Sequence, residues 1–130
     1  MANPNIVNVT SIYGESVAYN LTNTLTTTLI TVSSNVILKI NFVQVANVDG
    51  TNNADLDLFV AKANFTSAGV SNFDTSGNFY LAKTMTVPAD SALVVLSSPL
   101  YLMEADVLKG GASAASDLDL LVSYEVIDDA

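Results

Sequence analysis

The chain predicts an all-β fold: one antiparallel β-sandwich or jelly roll of about eight strands, spanning residues 1–130 as a single domain. Three observations predict it. Apolar and polar residues alternate with period two along most of the sequence, and no segment carries a sustained helical stripe. β-Branched and aromatic residues are frequent, including the run Thr26-Thr27-Thr28, which favours strand over helix. Turn-forming clusters recur at the close spacing of sandwich strands. A small closed barrel is the alternative.

Taken in order, residues 6–13 read as extended, with Ile6, Asn8, Thr10 and Ile12 on one face and Gly14 ending the run. Segments 15–21 and 25–32 follow, separated by a Thr-Asn turn. Ser33-Ser34-Asn35 turns the chain into Val36, Leu38, Ile40 and Phe42, alternating with Ile37, Lys39, Asn41 and Val43. From Val43 onward both parities are apolar, which predicts a bulge or a strand covered on both faces. The stretch 47–53 is a turn, because Asp-Gly and Asn tolerate positive φ. Segment 55–65 should face Leu56, Leu58 and Val60 inward and Asp55 and Asp57 outward.

Residues 66–78, rich in Ser, Gly and Asn, predict an exposed loop. Phe79, Leu81, Met85 and Val87 then alternate with Tyr80, Ala82 and Thr84, and Lys83 on the apolar parity should reach an edge. Pro88 ends that strand. The continuously apolar 92–96 predicts a central strand. After Ser97-Ser98-Pro99 comes a short run at 100–103; 104–109 is a strand or turn, and Gly110-Gly111 is most simply a turn. Leu118, Leu120, Val122, Tyr124 and Val126 close the chain in alternation with Asp119, Ser123 and Glu125.

Composition restricts function further. The 130 residues contain no His, Cys, Arg or Trp; ten Asp, three Glu and four Lys give a net charge of −9. Catalysis near neutral pH commonly uses an imidazole, a thiolate or a guanidinium, so an enzyme is not expected and no cofactor is called for. The acidity repels phosphate backbones and anionic lipid, so neither nucleic acid nor membrane is an expected partner. No apolar run approaches the roughly 18 residues that span a bilayer. Met1-Ala2-Asn3-Pro4-Asn5 lacks the basic and apolar regions of a signal peptide, so ordinary secretion is not expected. Zero cysteines rule out disulfides.

Two segments echo each other: Ala54-Asp55-Leu56-Asp57-Leu58 and Ser116-Asp117-Leu118-Asp119-Leu120. Alternation places two carboxylates on one sheet face in each. A calcium site at a sheet edge would use such oxygens. A solvated face that keeps an edge strand from unwanted pairing is the plainer explanation and the one expected, since no Asp-x-Asp-x-Asp-Gly loop accompanies them. A glycosidase pair would want a cleft with aromatic platforms, against 8 % aromatic residues and no Trp. A serine nucleophile has no histidine beside it, and no Ser-x-x-Lys occurs. The five tyrosines, Tyr13, Tyr19, Tyr80, Tyr101 and Tyr124, suit either core or interface.

The residues selected as partner-binding are Asn3, Pro4, Asn5, Ile6, Val7, Asn8 and Val9. They belong to an opening arm, Ala2 to Tyr13, with strong β character and few charges, suited to adding a strand to a neighbouring subunit. Packing as the first strand of its own sandwich is the plainer expectation.

Four phrases together carry a resemblance: Met-Ala-Asn-Pro-Asn-Ile-Val-Asn-Val at 1–9, Val-Ala-Asn-Val-Asp-Gly-Thr-Asn-Asn-Ala-Asp at 45–55, Tyr-Leu-Ala-Lys-Thr-Met-Thr-Val-Pro-Ala-Asp-Ser at 80–91 and Ser-Tyr-Glu-Val-Ile at 123–127. The chain resembles small virion structural proteins of tailed bacteriophages, especially marine and cyanobacterial ones. That resemblance implies a component of the virion, made in the host cytoplasm; the preferred location is capsid decoration (cement) on the virion surface, bound to the major capsid protein. Threefold lattice positions suit a homotrimer. A neck, tail or fibre-associated module, or a glycan-binding host-attachment module, is the runner-up. The resemblance transfers no catalytic or metal-binding residue.

Overall fold

A computed structural model describes residues 10–129. Among the described residues there are nine strands: β1 (Ser11–Asn20), β2 (Thr27–Thr31), β3 (Val36–Asn47), β4 (Ala54–Lys62), β5 (Gly77–Val87), β6 (Ala92–Leu96), β7 (Leu100–Leu102), β8 (Val107–Ala112) and β9 (Leu118–Asp128). They form two antiparallel sheets. One has the order β1-β9-β3-β6, with β7 also on β3; the other has the order β2-β8-β4-β5. Strands β6 and β7 pair with different stretches of β3 and act as two halves of one interrupted strand. Counted so, the order is that of an eight-stranded jelly roll, as the alternation predicts.

The inward parity builds the core. Ile40, Val43 and Val45 of β3, Leu56 and Leu58 of β4, Leu108 of β8, and Leu118, Leu120 and Val122 of β9 are fully buried in one cluster that joins the sheets. Each such side chain contributes about 1.5–3 kcal/mol relative to exposure. The expected irregularity in β3 is present: its register shifts against β9 between Ile40 and Phe42, and against β6 between Val43 and Gln44.

Several local expectations are corrected. Gly14 does not end a strand; β1 runs through it, with Gly14 opposite Glu125. Gly110 and Gly111 lie inside β8, where a Cβ at Gly110 would meet the Asp57 carbonyl and one at Gly111 the Thr24 carbonyl. Close backbone approach, not turning, is their purpose. β6 is an edge strand, not a central one. The 47–53 turn forms without positive φ at Asp49 or Gly50. Side chains hold it instead: buried Asn47 donates to the Val87 carbonyl at 2.9 Å and the Asn52 carbonyl at 3.0 Å, and accepts the Asp49 N–H at 2.9 Å. Asp49 in turn accepts the Thr51 N–H at 2.8 Å. That bond is the main cause of the lowering of its carboxyl below the usual range, followed by the Asn52 side chain and N–H.

Candidate interaction surface

Because directly opposed residues of antiparallel strands share a face, the pairings define what each sheet shows to solvent. Across the five-stranded sheet the outward rows run Gly14, Glu125, Lys39, Tyr101; then Ser16, Ser123, Phe42; then Ala18, Leu121, Gln44, Val94; then Asn20, Asp119, Ala46, Ala92. These are mostly small or apolar. Leu121 is 42 % exposed, Val94 55 % and Tyr101 49 %. A shallow hollow of about 350 Å³ lies in this face, bounded by Ala18, Asn20, Gln44, Ala46, Asp119 and Leu121. Of the face's charges, Lys39 and Glu125 share the first row, whereas Asp119 lines the hollow beside Leu121, its carboxylate accepting the Asn20 amide.

The four-stranded sheet is finished differently. Its outward residues include Thr28, Lys109, Phe59 and Tyr80 in one row and Asp55 with Thr86 in another. The Tyr80 ring covers buried Phe59 at a centroid distance of 4.9 Å. The Lys83 ammonium lies 4.5 Å from the Tyr80 centroid. Such a contact is worth roughly 0.5–1 kcal/mol when exposed.

The echoed carboxylates do not converge. Asp55 and Asp57 belong to β4, whereas Asp117 and Asp119 lie before and within β9 in the opposite sheet. Asp55 accepts the Thr86 hydroxyl at 2.8 Å, and Asp119 accepts the Asn20 amide at 2.7 Å. Asp57 departs from the solvated-face expectation: it is 7 % exposed and accepts the Thr84 N–H at 2.8 Å. Thr84 has φ of 50° within a bulge of β5 opposite Asp57, so the carboxylate satisfies a backbone donor that the ladder cannot. Among the described residues, no group of three or more Asp, Glu, His or Cys is placed to hold a metal.

Asp106 is the one fully buried acid among the described residues. It accepts from the Lys62 ammonium at 2.7 Å, the Ala63 N–H at 2.9 Å and the Met103 N–H at 2.9 Å. Every donor is local scaffold: the cluster ties the end of β4 to the β7–β8 turn. Beside it, between the edges β5 and β7, a groove of about 480 Å³ is lined by Phe79, Tyr80, Leu81, Leu100 and Tyr101, with Lys62 and Asp74 at its rim.

The tyrosines divide. Tyr13, Tyr80 and Tyr101 are exposed. Tyr19 donates to the Leu29 carbonyl at 2.7 Å, stitching β1 to β2 across the sandwich, and burial raises its hydroxyl pKa. Tyr124 is raised as well, by burial first and then by its hydrogen bond to Glu15 and that carboxylate's charge. Asn3, Pro4, Asn5, Ile6, Val7, Asn8 and Val9 lie outside the described residues; the end of the proposed arm, 11–13, is paired with β9 of its own sheet.

Sequence reading missed the apolar outward face, although a signal was available. Leu121 occupies the parity otherwise held by Asp119, Ser123 and Glu125, and β6 is apolar on both parities. Compared with family models, with curated proteins and with solved structures, the chain finds no match in any of the three.

Proposed function

We propose that this chain is a non-catalytic structural protein of a tailed-phage virion, a decoration (cement) protein that binds the outer surface of the major capsid lattice and stabilises the head. The outward face of the five-stranded sheet carries this reading. On a chain of net charge −9, a face whose centre is Leu121, Gln44, Val94, Phe42, Ala18 and Ala46, and whose adjacent carboxylate, Asp119, already accepts the Asn20 amide, can approach a protein surface while burying little unpaired charge, whose desolvation is costly. Apolar surface concentrated in one patch marks interaction sites. The acidic remainder keeps many bound copies from clumping. Contacts of modest strength suffice where each molecule bridges several subunits.

Purified protein added to particles lacking it tests this. Stoichiometric co-sedimentation with the heads and a higher temperature of genome release are expected. Failure to bind heads, or binding to isolated tails alone, contradicts the assignment. A second reading has its own observation: the tyrosine-lined groove between β5 and β7 suits a glycan-binding attachment module, since tyrosine offers apolar area and one polar end. Saturable binding to host glycans, lost in Tyr101→Ala, would select that reading.

A further inference from the structure

The sandwich has four edge strands among the described residues, and three are blunted against pairing. β2 is five residues long, with a register shift between Thr28 and Ile30. β5 carries two shifts against β4 and presents Lys83. The fourth edge is broken into β6 and β7, five and three residues long, with Pro99 between them. β1 has none of these devices. It makes ten consecutive pairs with β9 without a shift, contains neither Lys nor Pro, and carries Glu15 as its single charge. Ile12 is 57 % exposed and Tyr13 46 %.

We infer that β1 is a strand-addition site whose occupant is β1 of a second copy, joining two five-stranded sheets into one continuous ten-stranded sheet about a twofold axis. Charge selects the occupant. On so acidic a chain most surfaces repel their own copies, whereas this edge brings one carboxylate per molecule. An isologous contact needs the same strip on both partners, and an antiparallel pair of identical strands supplies it. The symmetry of the edge therefore gives a pair, not the trimer that lattice positions alone suggest.

Register follows from two conditions. Side chains opposite one another share a face, so continuity of the outward face requires pairing even with even and odd with odd positions. The axis then passes through a residue that meets its own copy, and the centre of β1 leaves Glu15 or Ser16. A Glu15 axis opposes two carboxylates, which is destabilising. A Ser16 axis avoids that, placing Glu15 opposite Val17, Tyr13 opposite Tyr19 and Gly14 opposite Ala18. The outward faces of both copies then lie side by side.

This inference stands apart from the particle assignment and is tested on the isolated protein. The chain has no cysteine, so single cysteines report proximity cleanly. Across a strand pair, Cα atoms about 4.5–5.5 Å apart fall within disulfide reach. Under mild oxidation Ser16→Cys should form a covalent dimer at least tenfold faster than Ala18→Cys, which meets Gly14 of the other copy. Sedimentation equilibrium at millimolar concentration should show a dimer that Ser16→Lys shifts to monomer, with the thermal transition of the dilute, monomeric protein unchanged. Equal crosslinking at both positions, or a wild-type monomer throughout, would overturn the inference whether or not the protein binds heads.

Discussion

The two outward faces of this sandwich solve different problems. On the four-stranded sheet, Phe59 lies under Tyr80, Lys83 lies over that ring, and Asp57 caps the bulge beside it. Phe59, Tyr80, Lys83 and Asp57 are thus answered within the molecule. On the five-stranded sheet, Leu121 and Val94 stand exposed among alanines and serines, with nothing of their own to cover them among the described residues. The difference separates a face whose groups are tied to one another from one that leaves apolar groups open. On the proposed reading, the first face serves the fold and the second serves the partner.

Substitutions can break this division, and the largest effect belongs to Asp106. Asp106→Ala strips three donors of their acceptor and leaves the Lys62 ammonium, its side chain 18 % exposed, without its ion-pair partner. Removing one member of a buried pair costs about 3–5 kcal/mol, to be read from urea unfolding. A loss below 1 kcal/mol would show that the cluster is not structural. Next is Gly110→Ala, whose Cβ would collide with the Asp57 carbonyl; overpacking predicts about 1–3 kcal/mol in the same measurement.

Alkaline titration probes the seam between β1 and β2. Tyr19 and Tyr124 have pKa values raised above 10.0 in the folded chain. The native state holds their protons after the unfolded chain has released its own. Their contribution is therefore fully present below pH 10 and is lost as pH rises through the folded values. Tyr19→Phe should cost about 0.5–1.5 kcal/mol at neutral pH through the lost bond to Leu29, and should flatten the alkaline slope of stability. An unaltered slope would assign it to other groups.

Smallest for stability, yet largest for attachment, are charges on the open face. Leu121→Asp with Val94→Asp should change unfolding free energy by no more than about 0.5 kcal/mol each, while reducing head binding at least tenfold. Thr28→Asp, on the opposite face, should leave head binding intact. Equal losses from both faces would erase the distinction drawn between them.

Most of the fold was legible because alternation sets which parity is buried, and turn clusters separate the strands. The inward leucines of β4 and β9 follow from that pattern alone. What was not legible depended on neighbours far away in sequence. Gly110-Gly111 reads locally as a turn, and only the backbones of β4 and the β1–β2 connection, lying against it, make glycine a strand residue there. β6 reads as central because both parities are apolar, yet its second apolar parity belongs to the open face. The carboxylate echo was visible, but pairing sends its copies to opposite sheets, and a bulge in β5 buries Asp57 on the outward side of β4. Nothing local singles out Asp106, since its three donors come from two separate segments.

The most direct test of the central claim, that the five-stranded face is a contact surface on a phage head, is an image of the virion at side-chain resolution. The account predicts this chain on the outer shell, with Leu121 and Val94 covered by major capsid protein and the Phe59–Tyr80 face turned to solvent. Finding the chain absent from the head, or attached with Leu121 and Val94 open to water, would contradict it.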